Sequence, residues 1–205
     1  MTATLTERSA TDLTPATDTA IPGYALLRGP RVHLRPTEAR DFDEAYRRAL
    51  DVGSRGPWFP HNIRSEAAFR AAFADGRWGE DNGVLRVVQN SDDALIGQVM
   101  FERVVGDVDE VILGYLMYPE YRGQGFGTEA NRLFVEYLFA NRRDMNRATL
   151  YIHPDNAASI RLAERTGFSF ESRIREGWFD LGRWNDVLCY SQLRRELVDG
   201  KVAPR

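Results

Sequence analysis

The stretch Arg122-Gly123-Gln124-Gly125-Phe126-Gly127 has residue types and a spacing that suit a ligand rather than a core. It follows the apolar run Val111 to Tyr118 and a turn begun by Pro119. Glycines at alternate positions leave no side chains in the way, so backbone N–H groups can close on a bound group. A helical pattern opens at once, with Phe126, Ala130, Leu133, Phe134, Tyr137 and Leu138 recurring at steps of three and four. The N-terminus of that helix adds free N–H groups and the positive end of a dipole. Strand, glycine-rich turn and helix together suit a phosphate or pyrophosphate. A tight turn alone would need one glycine, not three beside an arginine.

Gly125-Phe-Gly127-Thr-Glu-Ala130 also fits a dinucleotide fingerprint, but its setting does not. Pro119 to Arg122 separate the glycines from the strand, and the acid expected about twenty positions on is missing; Asp155 lies too far along, in a turn. Two mononucleotide halves also do not fit in the remaining chain. Other classes are excluded by composition. The 205 residues suit one domain, and a net charge of −3 gives no electrostatic footprint for nucleic acid. Cys189 is the one cysteine, which fits a reducing cytoplasm. His33, His61 and His153 show no ligand spacing, so no metal is expected. No run approaches the length of a membrane span, and the N-terminus lacks the layout of a signal peptide.

The elements that must position the glycine turn follow from periodicity and breakers. Residues 1–23, rich in Thr and Ala, read as a disordered or loosely docked tail; 24–198 form one domain and 199–205 a flexible end. Arg31 to Pro36 alternates and reads as a strand; Thr37 or Asp41 caps a helix to about Leu50. Gly53 to Asn62 reads as a loop whose Trp58 and Phe59 either line a substrate mouth or plug the core. A second helix begins at Ser65. Val84 to Gln89, Leu95 to Val105 and Val111 to Tyr118 form an antiparallel meander. The helix Phe126 to Asn141 then returns the chain to a strand, Ala148 to His153, parallel to the last strand of the meander. Asn156 caps a helix from Ala157 to Arg165 that stops at Gly167, and Phe168 to Arg175 with Asn185 to Leu193 close the chain as a hairpin.

Arg122-x-x-Gly125-x-Gly127 resembles the pyrophosphate loop of the GNAT superfamily, the acyl-CoA-dependent N-acyltransferases. Asn156-x-x-Ser159 followed by Gly167-Phe168 and Glu171 resembles that family's second signature. The tail through Trp184 and Asp186 looks like the branch holding the ribosomal-protein-alanine, spermidine and antibiotic N-acetyltransferases. The element order over roughly residues 30–195 is also that of the family. The resemblance implies an α/β (α+β) fold with a mixed, mostly antiparallel sheet and helices on both faces, in which a splayed parallel strand pair holds acyl-CoA. It implies cofactor contacts at Leu116, Met117, Tyr118, Arg122, Gly123, Gln124, Gly125, Phe126, Gly127, Thr128, Asn156 and Arg161, with backbone N–H groups of Leu116 to Tyr118 polarising the thioester.

The resemblance also implies catalytic roles. Ser159 would protonate the leaving thiolate, a weak demand because a thiol has a pKa near ~8.5. Its other reading, like that of Asn156, is helix capping. Glu171 matches the base proposed in the N-terminal acetyltransferase branch, or else pairs with Arg173 or Arg175. Many relatives carry a glutamate two residues before Gly-Tyr on the strand leading to the loop. Here Ile112-Leu113 precede Gly114-Tyr115, which leaves Glu102 as a further candidate. The implied activity is acetyl-CoA-dependent N-acetylation of a primary amine by direct transfer, since no cysteine lies near either motif. The amine could belong to a protein N-terminus, an amino acid, a polyamine or an antibiotic. A sensor domain and another acyl donor are the alternatives, and a homodimer is the family-level expectation.

Overall fold

The computed structural model describes residues 27–58, 65–74, 81–104, 109–180 and 182–202. The expected N-terminal tail, Phe59, His61 and Trp78 lie outside them. Eight strands form one sheet: β1 (Leu27–Arg28), β2 (Val32–Pro36), β3 (Asn82–Gln89), β4 (Leu95–Arg103), β5 (Glu110–Met117), β6 (Arg147–Ile152), β7 (Ser169–Asp180) and β8 (Arg183–Leu193). Their order is β1-β2-β3-β4-β5-β6-β8-β7. Every pair is antiparallel except β5–β6, the parallel pair expected of a strand–helix–strand unit.

Register sorts the side chains onto two faces. Leu34, Val87, Val99, Phe101, Leu113, Ala148 and Leu150 point to one side and are buried there. The helices α4 (Phe126–Asn141) and α5 (Ala157–Arg165) cover this side; Phe134 meets Phe101 at 6.3 Å between ring centroids. The helices α1 (Phe42–Leu50) and α3 (Glu66–Ala74) lie on the opposite side, where Phe42 packs edge-on against Phe73 at 5.3 Å. On that side Arg35 is bidentate to Asp41, at 2.7 Å for each bond.

Three local readings change. A short helix, α2 (Val52–Arg55), occupies part of the expected loop because Asp51 caps it through Gly53 N–H and Ser54. The closing hairpin is longer than periodicity suggested, since β7 and β8 stay paired out to Asp180 and Arg183. Val202, in the stretch expected to be flexible, is buried in the core cluster, and Glu136 accepts its N–H. Among the described residues, no helix is long and apolar enough to cross a membrane.

Candidate active site

The site begins where β5 and β6 part. They pair only over Glu110–Ile112 and Arg147–Thr149. Beyond that, β5 runs on with β4 and β6 with β8, so a split opens along Leu113–Met117. Tyr118 N–H donates to Ile96 O at 2.9 Å, toward β4. Strand alternation then turns the N–H groups of Met117 and Tyr115 toward the split and that of Leu116 toward β4. Of the three expected backbone donors, therefore, Met117 remains; Tyr118 and Leu116 are directed away, and Tyr115 is added.

The glycine loop stands at the open end of the split. Gly125 has φ 84° and caps α4; a side chain there would be strained and would meet Arg31 Nη2 at 3.1 Å. Arg31 braces the loop from outside. Its Nη1 donates to Gln124 O at 2.9 Å, and its Nε pairs with Glu129 at 3.0 Å. In a trans peptide C=O and N–H point oppositely, so holding the Gln124 carbonyl outward turns the Gly125 N–H inward. Arg122 is spent on the scaffold: its Nε donates to Met117 O at 2.8 Å and its Nη2 to Ser54 O at 2.6 Å.

A cavity of about 450 Å³ fills the split. Leu116, Met117, Arg122, Gly123, Gly125, Gly127, Thr128, Asn156, Ser159 and Arg161 line it, all anticipated from the sequence. Gln124 and Phe126 do not: the Gln124 side chain donates to Glu120 O, and Phe126 is buried beneath Arg31. Tyr118 is buried under Arg48. Arg55, Trp58, Tyr115, Tyr121 and Arg165 join the lining. Four arginines and no carboxylate line the cavity among the described residues.

Ser159 stands at the start of α5, on the cavity wall. Its N–H donates to Asn156 Oδ1 at 3.2 Å, so Asn156 caps α5, and the residue still faces the cavity. Tyr115 donates its hydroxyl to Ser159 O at 3.3 Å, and burial pushes its pKa up to about 12. It therefore stays a neutral hydroxyl beside Ser159, a contact no local sequence signal announced. Trp58 stacks on His153 with centroids 4.2 Å apart, joining the segment after α2 to the end of β6.

The expected bases lie elsewhere. Glu171 sits on β7 beside Ser191, whose hydroxyl donates to it, and Arg147 Nη1 reaches it at 3.2 Å. These partners hold its carboxyl below the usual range. Ser191 is level with Thr149 and Ile112, at the closed end of the split and roughly 10 Å along the strand from Tyr115. A bulge between Phe170 and Ser172 puts Glu171 there, and its ion pair is with Arg147, not Arg173 or Arg175. Glu102 is exposed opposite Ile112. Neither lines the cavity. Among the described residues no His/Cys/Asp/Glu group suits a metal ion.

A family model described as the GNAT acetyltransferase domain matches residues 31–169. This chain belongs to the GNAT acetyltransferase family. It is 35% identical over 173 residues to a probable N-acetyltransferase, YjcK, of Bacillus subtilis, spanning 78% of this chain and 93% of that protein. A GNAT acetyltransferase structure from Bacillus anthracis aligns with a TM-score of 0.72 at 21% identity, covering 83% of this chain and 99% of the other. Mycobacterium smegmatis RimJ, solved with CoA-disulfide, aligns with a TM-score of 0.64 at 24% identity, covering 81% and 83%. The GNAT sheet, with its split parallel pair, is the fold expected from the motifs, and the chain is an N-acetyltransferase by family.

Proposed function

We propose that this GNAT enzyme acetylates the α-amine of an amino acid or peptide, taking the acetyl group directly from acetyl-CoA in a ternary complex. The observation that carries this reading is the continuous cavity running from the glycine loop to Ser159 and Tyr115 between the parted strands. At one end, inward N–H groups at Gly125 and the start of α4 fit a pyrophosphate. At the other, the Met117 N–H faces the place of a thioester carbonyl and stabilises its oxyanion. Ser159 or Tyr115 then gives the thiolate its proton. Cys189 is not in the cavity lining and burial pushes its pKa up, so an acyl-enzyme step has no nucleophile there.

The acceptor class follows from what the cavity lacks. A polyamine needs carboxylates to hold it, and none lines this cavity among the described residues. A lysine-like amine, with pKa about 10.4, must lose a proton at a cost on the order of 3.4 kcal/mol more than a peptide α-amine near ~7.9. With Glu171 held by Arg147 and Ser191 away from the cavity, the α-amine is the acceptor this site serves best. The test is CoA-thiol release from acetyl-CoA with α-amino acids, peptides, polyamines and aminoglycosides. Release with α-amines alone supports the reading; equal release with polyamines refutes the acceptor assignment. Acetyl-CoA binding without release from any amine would favour a sensor or another donor.

A further inference from the structure

Arg35, Arg86, Gln98 and Leu116 stand in one row across β2, β3, β4 and β5, so all four side chains rise from the same face of the sheet. Leu116 is part of the cavity wall. Arg86 stands two strands from Leu116 and is not itself in the cavity lining. Its Nη1 donates to Gln98 Oε1 at 2.6 Å and its Nε to Thr37 Oγ1 at 3.0 Å. The third nitrogen, Nη2, has no hydrogen-bond partner among the described residues and is not sealed from solvent.

The charge on Arg86 is what needs explaining. The residue is only 6% exposed, yet among the described residues no carboxylate pairs with it. The acids nearby are committed to other arginines. Asp41 is bidentate to Arg35, and Glu38 reaches Arg35 and Arg40. Glu44 holds Arg47 and Arg48, and Glu120 holds Arg48. Thr37 and Gln98 are neutral, and so is Phe73, whose ring lies 5.4 Å from the guanidinium. Desolvation accordingly pulls the Arg86 pKa down. A mere cross-link between strands could be made by an amide side chain without burying a net charge, which is costly when unpaired.

Resting on the acetyl-transfer reading above, we propose that Arg86 is the anion subsite for the acceptor, which therefore carries a carboxylate a few bonds from its reacting amine. The spacing fits. Neighbouring strands are about 4.8 Å apart, so a guanidinium drawn over β4 by Gln98 lies about 5 Å from the Leu116 wall. An amine at the Met117 end of the split can then rest its own carboxylate on Nη2. An α-amino acid meets this condition, as does a peptide that begins with an acidic residue. The subsite excludes polyamines and favours free amino acids over their amides.

The test pairs each acceptor with its carboxamide analogue, using wild type and Arg86→Gln, which keeps an amide for Thr37 and Gln98. Wild type should prefer the carboxylate acceptor by about 10- to 100-fold in kcat/KM, the range of one charge-assisted hydrogen bond. Arg86→Gln should lose that preference through a raised KM for the carboxylate acceptor alone, with the KM for acetyl-CoA unchanged. A second readout needs no variant: free carboxylates such as acetate or succinate should inhibit wild type competitively against the acceptor and not against acetyl-CoA. No preference in wild type, or no such inhibition, overturns the subsite while leaving acetyl transfer intact. If acetyl-CoA supports no CoA release with any amine, the transfer reading fails and the subsite falls with it.

Discussion

Gly97 offers the sharpest test of how the sheet sets the geometry of the split. It pairs with Met117 at the end of β5, and a Cβ added there would overlap the Leu116 carbonyl oxygen and meet Met117 Sδ at 2.9 Å. The obstacle is backbone, so no rotamer change relieves it. Carbon and oxygen need about 3.5 Å, so Gly97→Ala forces β4 and β5 apart by on the order of 1 Å. That displacement falls on the peptide that aims the Met117 N–H into the cavity. A misplacement of about 1 Å at a reacting centre costs about 100-fold in rate. The glycine loop is braced separately by Arg31 and Glu129, so acetyl-CoA binding should weaken much less than kcat falls. Overpacking should also destabilise the fold by about 1–3 kcal/mol, at about 2–4 °C in Tm per kcal/mol for a chain of this size. Initial rates by CoA-thiol release, together with thermal unfolding, measure both effects. A folded Gly97→Ala enzyme with wild-type kcat would refute the claim that the β4–β5 contact sets the donor geometry.

Further outcomes follow from the same geometry. Arg31→Ala frees the Gln124 carbonyl and should raise the KM for acetyl-CoA by about tenfold with little change in kcat, the loss of a charge-assisted bond felt in binding. Ser159→Ala and Tyr115→Phe each leave one hydroxyl beside the leaving thiol, so each should lower kcat modestly and the double variant far more than their product. Burial pushes the Asp41 carboxyl up, but the Arg35 pair and the Glu38 N–H pull it further down, below its unfolded value. Its stabilising contribution is therefore complete above about pH 4 and is lost as pH falls through the lower folded value. Asp41→Asn should cost about 3–5 kcal/mol near neutral pH, and the gap to wild type should narrow in unfolding titrations below about pH 4. Because Ser191 and Arg147 hold Glu171 ionised, the acid limb of kcat/KM should follow the acceptor amine, near pH ~8 for a peptide α-amine, and Glu171→Gln should not move it.

What the sequence makes legible is whatever is contiguous. The glycine loop, the α5 cap at Asn156 and the strand–helix–strand crossover each sit within a few neighbouring residues, and their periods and breakers suffice to place them. Long-range contacts carry the rest. Arg31 lies 93 positions from the Gln124 carbonyl it holds, and no local pattern marks it. Arg86 alternates like any strand residue; its unpaired charge becomes visible only once Asp41 and Glu44 are seen on other arginines. The partners of Glu171 are hidden for a related reason, since the bulge at Phe170/Ser172 turns it toward Ser191 and Arg147. Strand parity likewise could not choose among Leu116, Met117 and Tyr118 until the Tyr118 N–H was found on Ile96.

The most direct test of the central claim is a calorimetric titration of acetyl-CoA into wild type and Gly125→Trp, with thermal unfolding to confirm that both are folded. A tryptophan at φ 84° is strained and pushes Arg31 off the Gln124 carbonyl, so the loop no longer turns the Gly125 N–H toward the cavity. The account predicts one acetyl-CoA per wild-type chain and no measurable binding to the folded variant. Equal affinity for both proteins would show that the split between β5 and β6 is not where the acyl donor binds.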